Sequence, residues 1–178
     1  MTKFLARTVR AGSSSVNEAI ADQLLDSGDE LVTGTEIPLG NLSPRATLRF
    51  RIGITKTAAG TATPIVKVRV GTAGTIADTA RLTFTGPAQT AAADTAFIDI
   101  LVTVRSVAAG TGSVLKGIAR LFHHLATTGF STSGTPVIDA ISSGFDLTAD
   151  DLIASVSIDP GASGAWTVTS VLSELVNT

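Results

Sequence analysis

The sequence predicts an all-β chain: an antiparallel β-sandwich, of jelly-roll type, with an extended or partly helical N-terminal arm. Three observations carry this. Between residues 48 and 84, apolar and polar side chains alternate along three runs: Leu48, Phe50, Ile52 and Ile54 against Thr47, Arg49, Arg51 and Thr55 in the first. Such a period of two marks a strand with one buried and one wet face. Turn-forming Gly, Pro, Asp and Thr residues punctuate the chain at short intervals from there to its end. Helical spacing is scarce after residue 30.

Residues 1–28 read as an arm and 29–178 as the β-domain. The arm opens with Lys3, Arg7 and Arg10, passes through AGSSS, and ends in VNEAIADQLLDSG. In that last piece Val16, Ile20, Leu24 and Leu25 fall at helical spacing, with Ser15 and Glu18 placed as a capping box and Gly28 as a stop. The same residues also fit a strand. Beyond the arm, strands are expected at 30–33, 47–57, 63–71, 80–85, 96–107, 113–126, 136–142, 152–158 and 165–176. Ile98, Ile100, Val102 and Val104 share one face of their run, with Asp99, Thr103 and Arg105 on the other. Leu152, Ala154, Val156 and Ile158 repeat the device. Residues 115–125 also suit a helix by propensity, but their glycines and β-branched neighbours favour a strand. Several runs exceed the usual length of ~5–6 residues, as broad sandwich faces require.

Composition narrows the function. At 178 residues the chain is long enough for one well-buried domain. Its 44% hydrophobic and 16% charged residues imply polar faces made of hydroxyls, suited to dense packing against neighbours. A formal net charge of −2 supplies no field for nucleic acid or an anionic membrane. Arg49, Arg51, Arg69, Arg81, Arg105 and Arg120 are spread along the strands and read as solvated faces. No cysteine is present, so disulfides and thiolate metal sites are excluded. The first residues lack the apolar core of a secretory signal, and no apolar run approaches the ~20 residues of a membrane helix. Synthesis in a cytoplasm, as a soluble chain, is the expectation.

No motif assembles a reaction centre, and an enzyme is not expected. His123 and His124 are adjacent on a strand and face opposite sides, so they cannot share a metal within one subunit. Asp146, Asp150, Asp151 and Asp159 lack calcium-loop spacing and read as turn and strand-end aspartates. The loop GTAGT at 71–75 lacks the Lys-Ser/Thr ending of a phosphate loop. No Gly-x-Ser-x-Gly elbow occurs. Asn41-Leu42-Ser43 matches a glycosylation acceptor, followed directly by Pro44. Trp166 is the single tryptophan and there is no tyrosine. Core packing or an interface anchor is the first reading of Trp166; a contact for a sugar is the alternative.

Four runs carry a resemblance: GITKTAAGTATP at 53–64, VRVGTAGTIADTA at 68–80, LATTGF at 125–130 and AWTVTSVLSELVN at 165–177. In strand and loop texture the chain over 30–178 resembles small β-sandwich virion structural proteins of tailed bacteriophages, of the capsid-decoration or short tail-fibre and baseplate type. The resemblance implies a self-assembling protein, expected as a homotrimer. Its partners are then its own copies and the major capsid protein or tail and baseplate proteins, with no cofactor, and its place is the virion. Phe4, Leu5, Arg7 and Arg10 are the expected docking residues. The alternative is a carbohydrate-binding, receptor-recognising jelly-roll module that meets a host-surface glycan through Trp166. A hydrolase ranks last, because it needs two close carboxylates in a cleft and the aspartates sit mostly in turn sequence.

Overall fold

A computed structural model of the chain describes residues 3–5, 23–25, 29–40, 42–161 and 166–177. Among them every regular element is a strand: β1 (Lys3–Leu5), β2 (Gln23–Leu25), β3 (Glu30–Ile37), β4 (Thr47–Lys56), β5 (Ile65–Gly71), β6 (Ala80–Thr85), β7 (Asp94–Ser106), β8 (Val114–His123), β9 (Val137–Ile141), β10 (Leu152–Asp159) and β11 (Trp166–Asn177). The nine strands read from alternation correspond to β3–β11. The two short strands before them do not appear in the alternation.

The strands form two antiparallel sheets. The larger runs β1-β11-β4-β7-β8-β9, with β2 also paired to β11; the smaller runs β3-β10-β5-β6. β3 lies against β11 along one side of the stack, and β6 against β9 and β8 along the other. The residues that alternation assigned inward are the core. Leu48, Phe50, Ile52 and Ile54 on β4 face Val66, Val68, Leu82 and Phe84 of the smaller sheet, all buried, and the inward rows of β7 and β10 complete the layer. Burying side chains of this size contributes about 1.5–3 kcal/mol each. On β8 the inward position opposite β6 is Gly117. A Cβ there would sit 2.6 Å from Leu82 Cδ1 and 2.8 Å from Phe84 Cζ, so the absent side chain is what lets those two pack.

The helix considered for residues 15–28 is not what forms where the chain is described: residues 23–25 are extended as β2, paired with Trp166–Val168 of β11. The rest of that segment, like Asn41, lies outside the described residues. The cause is tertiary. The free edge of β11 supplies hydrogen-bond partners about 140 residues away, and Leu25 is fully buried there.

Candidate functional site

The outward face of the larger sheet is the unusual surface. Strand registers place its side chains in rows. Phe97 on β7 pairs with Phe122 on β8, and beside it on β4 is Gly53. The next row runs Leu172, Arg51, Asp99, Arg120, Val137 across β11, β4, β7, β8 and β9. Below it come Glu174, Arg49, Leu101, Ile118 and Asp139, then Val176, Thr47, Thr103, Lys116 and Ile141. Of the seven large apolar side chains that are exposed among the described residues, five stand on this one face: Phe97 (38%), Leu101 (44%), Leu172 (45%), Val137 (60%) and Ile141 (61%).

The polar groups on the face are arranged among the apolar ones. The Phe97 and Phe122 rings stack with centroids 4.7 Å apart, and the Arg51 guanidinium lies 5.4 Å from the Phe97 centroid. Asp99 accepts a hydrogen bond from Arg49 Nε at 3.0 Å and lies 3.7 Å from Arg51 Nε. Arg49, Asp99, Leu101, Ile118 and Arg120 line a shallow depression at the centre. Exposed apolar side chains interleaved with aromatic and arginine ones have the composition of a protein-binding surface. Arg49 and Arg51 of β4 are joined here by Arg120 of β8, distant in sequence. The reading of the arginines as solvated strand faces holds for Arg51, Arg105 and Arg120, which are exposed, and fails for Arg69. The Arg69 side chain is buried on the outer side of the smaller sheet, donating to Ser157 Oγ, the Asp78 carbonyl and Asp29. Like Lys67, 2.7 Å away, it meets the Asp29 carboxylate.

Several polar groups, some singled out in the sequence and some not, are engaged in the fold. Asp94, buried, accepts hydrogen bonds from Thr95 N (2.8 Å), Leu125 N (3.2 Å), Phe130 N (3.2 Å) and His123 Nδ1 (3.0 Å). Burial works against its charge, but the Phe130 N–H, the His123 ring and the Thr95 and Leu125 N–H groups outweigh it and hold the carboxyl below its ordinary value. His123 Nε2 meets the Gly134 carbonyl at 2.7 Å, so this histidine ties the loop between β8 and β9 to the sheet, while His124 is exposed. Gly129, at φ +81°, passes so close to Asp94 that a Cβ would collide with its carboxylate. Lys56 is buried beside this hub and donates to the carbonyls of Gly60, Thr90 and Ala92. The GTAGT loop is a ring of N–H groups, and its anion is its own: Asp78 accepts from Ala73, Gly74 and Thr75. Asp146 accepts from Thr148 N and Asp159 from Gly161 N, the turn roles read from the sequence, while Asp146 also accepts from Gly110 N and Asp151 from Leu39 N, contacts between loops distant in sequence. Among the described residues no group of three His, Asp or Glu side chains is placed to hold a metal ion.

Trp166 is 1% exposed. Its Nε1 donates to Gln89 Oε1 at 2.9 Å, and Phe130 meets its ring edge-on at 4.9 Å. A ring so enclosed offers no face to a sugar, which corrects its assignment as a glycan contact; the core role prevails because β11 begins with this side chain turned between the sheets. Of the expected docking residues, Phe4 and Leu5 lie on β1, whose backbone pairs with Val176 and Leu175 of β11. Arg7 and Arg10 lie outside the described residues. The residues that sequence reading missed are Phe97, Leu101, Ile118 and Phe122. Their signal was present: each is a large apolar residue at a wet-face position of an otherwise regular alternation.

Compared with family models, curated proteins and solved structures, the chain matches none.

Proposed function

We propose that this chain is a non-enzymatic structural protein of a tailed-bacteriophage virion. It self-assembles, as a homotrimer, and docks on the capsid as a decoration or cement protein or on the tail as a short fibre or baseplate part. The observation that carries the reading is the Phe97–Phe122–Leu101–Arg51 face, an exposed apolar and arginine-rich surface on a rigid sheet. Two further features support it. His123 and three of the four aspartates singled out in the sequence are committed to turns and loop anchors. The strand order β3-β10-β5, in which an early strand lies beside a late one, is the jelly-roll element of the fold in this reading. Phe4 and Leu5, on the flank of β11, and Arg7 and Arg10 beyond them, remain the docking arm. No cofactor, nucleic acid or membrane takes part, and the chain moves from the host cytoplasm, where it is made, to the particle.

The experiment is reconstitution. The purified full chain is mixed with particles of a phage from which its gene has been deleted, and the particles are sedimented. Saturable recovery at a fixed number of copies per particle supports the reading. Absence of the chain from sedimented heads and tails alike overturns it.

A further inference from the structure

The Phe/Arg face is poorly matched to itself. Two copies stacked face to face about a two-fold axis along β7 bring Arg51 against Arg120 and Glu174 against Asp139. An axis across the strands brings Arg51 against Arg49. In these two aligned, centred stackings like charges come to lie opposite one another, which disfavours them. Exposed Arg51 and Arg120, set among the apolar side chains, favour an occupant that brings acidic and apolar groups together.

The chain carries such a surface at another place. Leu39, in the loop after β3, and Ile76, in the loop after β5, are 55% and 51% exposed, the two large exposed apolar side chains among the described residues that are not on the face. Beside them stand the carboxylates of the β10 approach: Asp150 is exposed, and Asp151 lines a shallow depression together with Glu36, Pro38 and Thr72. The geometry points to a heterologous contact between copies of this chain, in which the acidic, apolar end around Leu39, Ile76 and Asp150 docks on the Phe/Arg sheet face of the next copy. The inference rests on the self-assembling reading above and names the two surfaces that reading uses. Size agrees. Five strands about 4.8 Å apart and four rows about 6.8 Å apart make a face of roughly 24 by 27 Å, or about 650 Å² in plane. A stable interface covers about 800 Å² of accessible surface per partner, and the relief of the side chains supplies the difference. A contact that joins two different patches closes a ring when its rotation is one third of a turn, which gives a trimer.

Sedimentation velocity of the full chain over a concentration series tests this, with the variants Arg120→Glu on the face and Asp150→Lys at the acidic end. Both side chains are exposed, and thermal melts verify that each variant is folded. Each reversal is expected to weaken association about tenfold, and the chain carrying both to recover to within about threefold of the wild type. Raising the salt to 0.5 M weakens the wild type as well. Should the double variant misfold, Arg120→Gln and Asp150→Asn replace the reversals, each then weakening association and abolishing its salt dependence. Association insensitive to Asp150→Lys but lost in Arg120→Glu overturns the inference and leaves self-assembly standing, with a different surface on the face. A wild-type chain that stays monomeric yet saturates gene-deleted particles overturns the inference and leaves the virion reading standing. A monomer that binds no particle removes both.

Discussion

Replacing Asp94 with asparagine removes one charge from the hub that secures the loop between β8 and β9. The carboxylate receives four donors, two on each oxygen: Thr95 N and Leu125 N on Oδ1, Phe130 N and His123 Nδ1 on Oδ2. An amide accepts on one side only. Whichever way the introduced side chain turns, its NH₂ confronts one pair of donors. Hydrogen bonds to a charged group contribute about 1.5–3 kcal/mol each, so losing two costs about 3–6 kcal/mol. The Thr95 and Leu125 N–H groups are partly exposed and recover water, which places the expected loss near the lower end, about 3–4 kcal/mol. For a domain of this size that is a drop of roughly 10 °C in Tm. The loss depends on pH with a defined sign. The folded-state carboxyl titrates below its ordinary value, so its contribution is fully present above about pH 4, the value in the unfolded chain, and disappears as pH falls through the folded one. The gap between wild type and Asp94→Asn in urea midpoint is therefore wide at about pH 7 and narrows towards about pH 2. A loss under about 1 kcal/mol at neutral pH, or a gap that does not change with acid, refutes the reasoning.

Three other outcomes are expected. Deleting residues 1–22 leaves β2 and the buried Leu25 in place, whereas deleting 1–28 removes both, so chemical denaturation should find the longer deletion less stable by about 2–4 kcal/mol. The shorter deletion is thus the one with which to test the arm in docking. Lys56→Met should cost about 2–4 kcal/mol by the same assay, because it strands the carbonyls of Gly60 and Ala92 around an apolar tip and leaves the Thr90 carbonyl with only the Ala92 N–H. Asp29→Asn should cost about 1–2 kcal/mol, less than Asp94→Asn because the Lys67–Asp29–Arg69 cluster is partly exposed. Burial raises the Asp29 carboxyl, but the hydrogen bonds from Lys67, Ser157 and Arg69 lower it further, so this contribution too is present above about pH 4 and is lost below it.

Strand positions were legible because they are local. The inward rows of β4, β7 and β10 follow from a period of two, and the structure buries the residues the period selects. The two short strands were not legible, because three-residue segments carry no period and their partner strand lies at the opposite end of the chain. The face was half legible. Asp99, Thr103 and Arg105 were recognised as outward, but Phe97 and Leu101, interleaved with them, break the polar pattern and passed without notice. What no single stretch contains is their neighbourhood. Arg49 and Arg51 meet Phe97 and Asp99 only through the β4–β7 register, and Arg120 joins them only through β7–β8. Trp166 illustrates the converse: a residue type suited to recognition is buried by Gln89 and Phe130, each distant in sequence.

Hydroxyl-radical footprinting of the full chain, free at low concentration and assembled at high concentration or on particles, tests most directly that the outward face of the larger sheet is the assembly surface. Phe97, Leu101, Phe122 and Leu172 should lose reactivity several-fold on assembly, while Ile65, on the outer side of the smaller sheet, keeps its own. Equal reactivity of the four in the free and assembled states would contradict the account.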